Sequence, residues 1–188
     1  MSASLKRALG LWVGAQVPGL HVHSDDLANT KYRYPACTVA EVLRSQSPVG
    51  CGKKDFTVRH PDTGWVTASG RMHREETTYR LVVNAPAGSQ QPGQETVDDL
   101  IDRVEKAVLA TQSDPAPVVL TDTEVDPAGA FPLEALRLAG RQPVPADISG
   151  EPFLYRGALS LRVIRLVPVE RAVDHVMEHI HVEDEGQS

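Results

Sequence analysis

From Arg74 to Gly88 the chain reads REETTYRLVVNAPAG, and Tyr79, Leu81 and Val83 alternate with Thr78, Arg80 and Asn84. Only a pleated strand sends successive side chains to opposite sides, so this period of two calls for a strand with one buried face. Asn84-Ala85-Pro86-Ala87-Gly88 ends it, because such a run punctuates a ladder rather than continuing it. A second stretch, LYRGALSLRVIRLVPVE, sets Tyr155, Gly157, Leu159, Leu161 and Val163 against Arg156, Ala158, Ser160 and Arg162. Val163-Ile164 breaks that alternation, which calls for a bulge or for a strand buried on both faces there.

Half-apolar strands need a layer to cover them, and ETVDDLIDRVEKAVLA supplies one. Val97, Leu100, Ile101, Val104 and Val108 recur at helical spacing, with Asp98, Asp99, Asp102 and Glu105 off the stripe. Thr96 is placed to cap this helix, near residues 95–111, with Asp99 answering the cap. Residues 3–16 put Leu5, Ala8, Leu9, Trp12 and Val13 on one side of a shorter helix that Pro18-Gly19 ends. ACTVAEVLR and PVVLTDTEV read as strands, and DFTVRH with GWVTASGRMHREETTYRLVV reads as a hairpin divided at Pro61-Asp62-Thr63-Gly64. The polar length of TASGRMHREETT suggests that part of the hairpin projects beyond the packed core.

FPLEALRLAGRQPVPADISGEPF is compatible with a short strand or a helix inside a loop, so residues 122–154 read as a loop-rich insertion. Residues 168–188 read as a C-terminal extension, in which Val169, Val173, Val176 and Ile180 are spaced like a helix face while Pro168 and the β-branched residues permit extension. The expected class is α+β: an antiparallel or mixed sheet with a long hairpin, packed by the two helices in a single domain of 188 residues.

With 41% hydrophobic and 23% charged residues, the composition is that of a globular chain. No apolar run approaches the roughly 20 residues of a membrane span. Cys37 and Cys51 lack the spacing of a zinc site and read as free thiols. The net charge of −6 conceals a division. Residues 44–80 carry seven basic and four acidic side chains, whereas residues 81–135 carry ten acids against Arg103 and Lys106 alone. Copies of such a chain can meet through complementary patches. The residues expected at that contact are Arg59, Arg71, His73, Arg74 and Arg80 on the basic side, and Asp98, Asp102 and Glu105 on the acidic side.

Motifs for chemistry are few. His175-Val176-Met177-Glu178-His179 spells H-x-x-E-H, which on a helix puts two imidazoles on one face with Glu178 as a base. A catalytic zinc needs a third ligand, and only Glu183, Asp184 and Glu185, in a short terminal tail with His181, follow. His21 and His23 precede Ser24-Asp25-Asp26, but adjacency does not assemble a triad. VGCGKKD lacks the G-x-x-x-x-G-K-[ST] spelling of a phosphate loop. We therefore expect no enzyme, no cofactor and no metal.

The order of elements carries a resemblance. An N-terminal helix, a loop to YPACTVAEV, a long hairpin ending in TYRLVVNA, the acidic helix TVDDLIDRVEKAVL and the late strand ALSLRVIRLV together resemble the tail terminator and tail completion proteins of tailed bacteriophages, over about residues 3–167. The resemblance implies a virion protein assembled in the host cytoplasm. Its subunits form a ring, commonly a hexamer, that caps the tail tube protein and presents a surface to the neck or connector protein. In contractile tails the sheath is a further neighbour, and DNA is only passing cargo. Residues 122–154 and the acidic tail exceed the smallest members of that family. Two alternatives stand beside it: a cellular α+β adaptor binding one protein partner, and a zinc-dependent hydrolase using His175, Glu178 and His179.

Overall fold

The structure, a computed structural model, describes residues 4–23, 33–49, 55–59, 66–86, 93–114, 116–148 and 153–172. It divides into two compact units, one of residues 1–47 with 74–167 and the other of residues 48–73 with 168–188. The class is α+β, with two helices and a mixed sheet.

In the larger unit the elements are α1 (Leu5–Gln16), β1 (His21–His23), β2 (Ala36–Pro48), the later part of β4 (Val66–Pro86), α2 (Gly93–Ser113), β5 (Val119–Asp122), β6 (Gly129–Pro132), β7 (Ala135–Pro143) and most of β8 (Leu154–Ala172). Strand order across the main sheet is β1-β2-β4-β8-β7, and β5 and β6 form a separate two-stranded sheet. In the smaller unit, β3 (Asp55–Arg59) pairs antiparallel with the start of β4, Asp55 facing Arg71 and Phe56 facing Gly70. The hairpin expected from sequence is present, and its turn at residues 61–64 lies outside the described residues.

The two strand patterns produce one core. Tyr79, Leu81, Val83 and Ala85 from β4, Leu159, Leu161 and Val163 from β8, and Cys37 and Val39 from β2 are buried together. Over them lie Leu5, Ala8, Leu9 and Val13 of α1 and all five stripe residues of α2, from Val97 to Val108. Gly157 is where α2 comes closest: a Cβ there would stand 2.6 Å from Ile101 Cδ1 and 2.8 Å from Val97 Cγ1. At Val163-Ile164 the pairing with Leu136 and Ala135 runs on without interruption and both side chains are buried, so burial on two faces explains the broken alternation.

Two expectations are corrected, and one segment left open takes a definite form. α2 begins at Gly93, so Thr96 lies inside its first turn instead of capping it. The hairpin arm is not clear of the core beyond His73, because Glu75, Thr77 and Tyr79 are buried. Glu75 is held there by Arg165 Nε at 2.7 Å and Gln46 Nε2 at 2.9 Å, which supply the partners a buried carboxylate needs. The segment left open between strand and helix contains β7, paired with β8 from Ala135–Ile164 to Pro143–Gly157 and bulged between Leu138 and Gly140. Gly140 has φ +151, a conformation that suits a residue without Cβ. Likewise, β8 carries extended backbone through Pro168 and Val169 to Ala172.

Candidate functional site

Alternation gives the main sheet a second face, opposite the helices. On β4 it carries Arg74, Glu76, Thr78, Arg80, Val82 and Asn84, and none of these is fully buried. On β8 it carries Arg156, Ser160 and Arg162, and on β7 Arg137, whose neighbour Leu136 is in the core. Five arginines thus meet three acids there, Glu76, Glu134 and Asp147. Arg74 Nε lies 3.1 Å from Glu134 Oε2, Arg162 Nη1 lies 3.8 Å from Glu76 Oε2, and Arg156 Nη2 donates to Asp147 Oδ2 at 2.7 Å. Among the described residues Arg80 and Arg137 form no ion pair, and the buried Nε of Arg80 and of Arg156 have no hydrogen-bond partner. The ladder pairs Arg137 directly with Arg162, so two like charges face each other across β7 and β8. Toward one end the face deepens into a cavity of about 370 Å³ lined by Tyr34, Thr38, Arg80, Asn84, Leu154 and Arg156, among others.

The helix layer carries the opposite charge. Glu95, Asp98, Asp102 and Glu105 recur at intervals of three and four on α2, which places them in one row away from its buried stripe. Arg141 donates to both Asp98 and Asp102, so the helix is fastened to β7 by a fork that no local pattern announced. Burial opposes the charge on Arg141, yet its hydrogen bonds to the two carboxylates and their negative charges outweigh it and raise its pKa above the ordinary value.

The outer edge of β2 completes the surface. β1 pairs with it only at Ala36–Thr38, and among the described residues no strand covers that edge further on. From Ala40 to Pro48 the side chains are exposed, Val42 by 61% and Leu43 by 63%.

The residues singled out from sequence separate between the units. Arg59, Arg71 and His73 belong to the smaller one, with Arg71 exposed and His73 half-buried. Arg74, Arg80, Asp98, Asp102 and Glu105 belong to the larger one, the two arginines on the open sheet face and the three acids on α2. Sequence reasoning missed Arg137, Arg156 and Arg162, although their alternation with Leu136, Gly157 and Leu161 was the available signal.

Other titratable groups serve the fold. Asp122 takes hydrogen bonds from Arg7 Nη2 at 2.8 Å and from the Ser4 backbone N–H at 2.7 Å, joining β5 to the start of α1. The Arg7 hydrogen bond, helped by the Ser4 and Glu124 N–H groups, holds its carboxyl below the usual range against the effect of desolvation. Burial likewise opposes charge on Glu75, and the bonds from Arg165 and Gln46 with the charges of Arg165 and Arg44 overcome it, so its pKa is lowered. Cys37 is a free thiol, pushed up to about 12 by burial. Among the described residues no three His, Cys, Asp or Glu side chains are grouped as metal ligands. His175, Glu178, His179 and His181 lie outside the described residues, as do Ser24, Asp25, Asp26 and Cys51. No described helix is long and apolar enough to cross a membrane.

No protein-family model matches the chain, and no curated protein matches it either.

Proposed function

We propose that the chain is a structural subunit that closes into a ring at the end of a bacteriophage tail tube and joins the tail to the head-side neck. The observation that carries this reading is β2, whose edge no strand among the described residues covers beyond Thr38 and whose Val42 and Leu43 are exposed. A long open edge with exposed aliphatic residues is a template for another chain, and a solitary protein would need to blunt it. The main sheet ends in β2 and β1 on one side and in β7 on the other, two unlike borders. Contacts that join one side of a copy to the other side of the next cover both borders in every copy, and they give a ring when the rotation closes.

The element order supports the comparison with tail terminator and tail completion proteins. The hexameric copy number, the tail tube and neck or connector proteins as neighbours, the sheath in contractile tails, the virion location and the passage of DNA as cargo follow from that resemblance. The test is an infection in which the gene for this chain is silenced. Heads and tails that accumulate separately support the reading. Joined, infectious particles that lack the chain contradict it.

A further inference from the structure

Within that assembly reading, the geometry points to a specific pair of faces: the open, arginine-bearing face of the sheet in one copy receives the acidic row of α2 from the next copy. Three observations favour an anionic occupant for the sheet face. Arg137 and Arg162 confront each other across the ladder, and Glu76 reaches only Arg162, so an anion over Arg137 would relieve the remaining repulsion. Arg80 and Arg137 form no ion pair among the described residues, although acids are near enough for their neighbours. Among the described residues the Nε groups of Arg80 and Arg156 are buried without a hydrogen-bond partner, beside a cavity of about 370 Å³.

The occupant is argued from shape and sign. Asp98 and Asp102 already hold Arg141, and Glu95 and Glu105, the other two acids of the row, stand ten positions apart, about 15 Å along the helix. The arginines are spread over β4, β8 and β7, adjacent strands that span roughly 10 Å from the first to the last. The row is thus long enough to cross all three strands. A nucleic-acid backbone, charged at every phosphate, fits less well than spaced carboxylates, because Glu76 and Glu134 are set among the arginines and interrupt a continuous run of positive charge. Sheet face and helix face are different surfaces of one copy, so the contact is head-to-tail and leaves each copy able to bind on both sides.

Sedimentation velocity over a range of protein and salt concentrations tests the pairing. The wild type is expected to self-associate more strongly as protein concentration rises and salt falls. Arg137→Glu with Arg162→Gln changes one face, and Glu95→Lys with Glu105→Lys changes the other while sparing the partners of Arg141. Each double variant is expected to weaken association about tenfold or more. A mixture of the two is expected to associate more strongly than either variant alone, because each retains the face the other lacks. The conservative Arg137→Lys, Arg162→Lys variant keeps its charge and should keep most of its association, which separates lost attraction from lost folding.

Self-association that ignores both double variants would remove this pair of faces while leaving a ring built through β2 intact. No association at low salt would also overturn the pairing. So would a wild-type chain that stays monomeric but binds a short DNA duplex through Arg137 and Arg162.

Discussion

Arg137 on β7 and Arg162 on β8 stand directly opposite each other, two guanidinium groups on the exposed face of one antiparallel ladder. Like charges directly opposite each other weaken a ladder, and an acid at one of the two positions would strengthen it. We predict that Arg137→Glu raises the stability of the isolated chain by about 0.2–1 kcal/mol, the range for an opposite-charge cross-strand pair. The same substitution should weaken self-association. Thermal unfolding and sedimentation on one preparation check both, and a variant that is less stable and assembles normally would show that Arg137 serves the fold.

Asp122 has no exposed side-chain surface and Arg7 keeps 18% of its own. Removing one member of a buried pair typically costs about 3–5 kcal/mol, and the access of Arg7 to water puts Asp122→Asn near the lower end, about 3 kcal/mol. The pH dependence has a definite sign. The folded pKa of Asp122 is depressed, so its contribution is complete above the unfolded value, about 3.9, and is lost as pH falls through the folded value. Glu75 adds stability with the same sign. Melting temperatures of wild type and Asp122→Asn should therefore differ at neutral pH and converge in acid below about pH 4. A constant difference down to strong acid would mean that the carboxylate charge is not what Arg7 holds.

Gly157 admits α2 to the sheet. In Gly157→Ala the new methyl meets Ile101 Cδ1, the movable end of a side chain, but also Val97 Cγ1 on a short and stiff one. We expect a loss of about 1–3 kcal/mol, as for other overpacked sites. Denaturant unfolding measures it, and Val97→Ala in the same chain should return part of the loss.

The Tyr79 hydroxyl is buried and makes no hydrogen bond among the described residues, and its pKa is raised to about 12, first by burial. Tyr79→Phe removes an unpaired polar group and keeps the ring, so it should be neutral or stabilising by up to about 1 kcal/mol. Tyr79→Ala, which empties the site, should cost about 3–5 kcal/mol. Equal losses in the two variants would point to a hydroxyl partner.

The features legible in the amino-acid sequence are those that repeat locally. The α2 stripe from Val97 to Val108 and the alternation through Tyr79 and Leu161 are periodic within a few residues, so the helices, the long strands and the buried faces followed. The site was only half visible. Arg80 alternated with core residues, and its face was therefore open to inference. Arg137 lay in EALRLAGRQP, where the bulge at Gly140 interrupts the pattern and disguises a strand. That it faces Arg162 depends on a register between distant segments, and the bond from Arg7 to Asp122 spans 115 positions, so neither leaves a local trace. Nor does the division of charge: by segment it looked like a basic stretch followed by an acidic one, whereas in the larger unit it lies between a sheet face and a helix row.

The most direct measurement for the central claim is an electron cryomicroscopy reconstruction of the tailed particle assembled with this chain. The account predicts a closed ring of copies around the tail axis at the head-proximal end of the tube, with the β2 edge of each copy covered by its neighbour. A particle whose tail and neck contain no density for the chain, or which carries it as isolated copies with β2 uncovered, would contradict that claim.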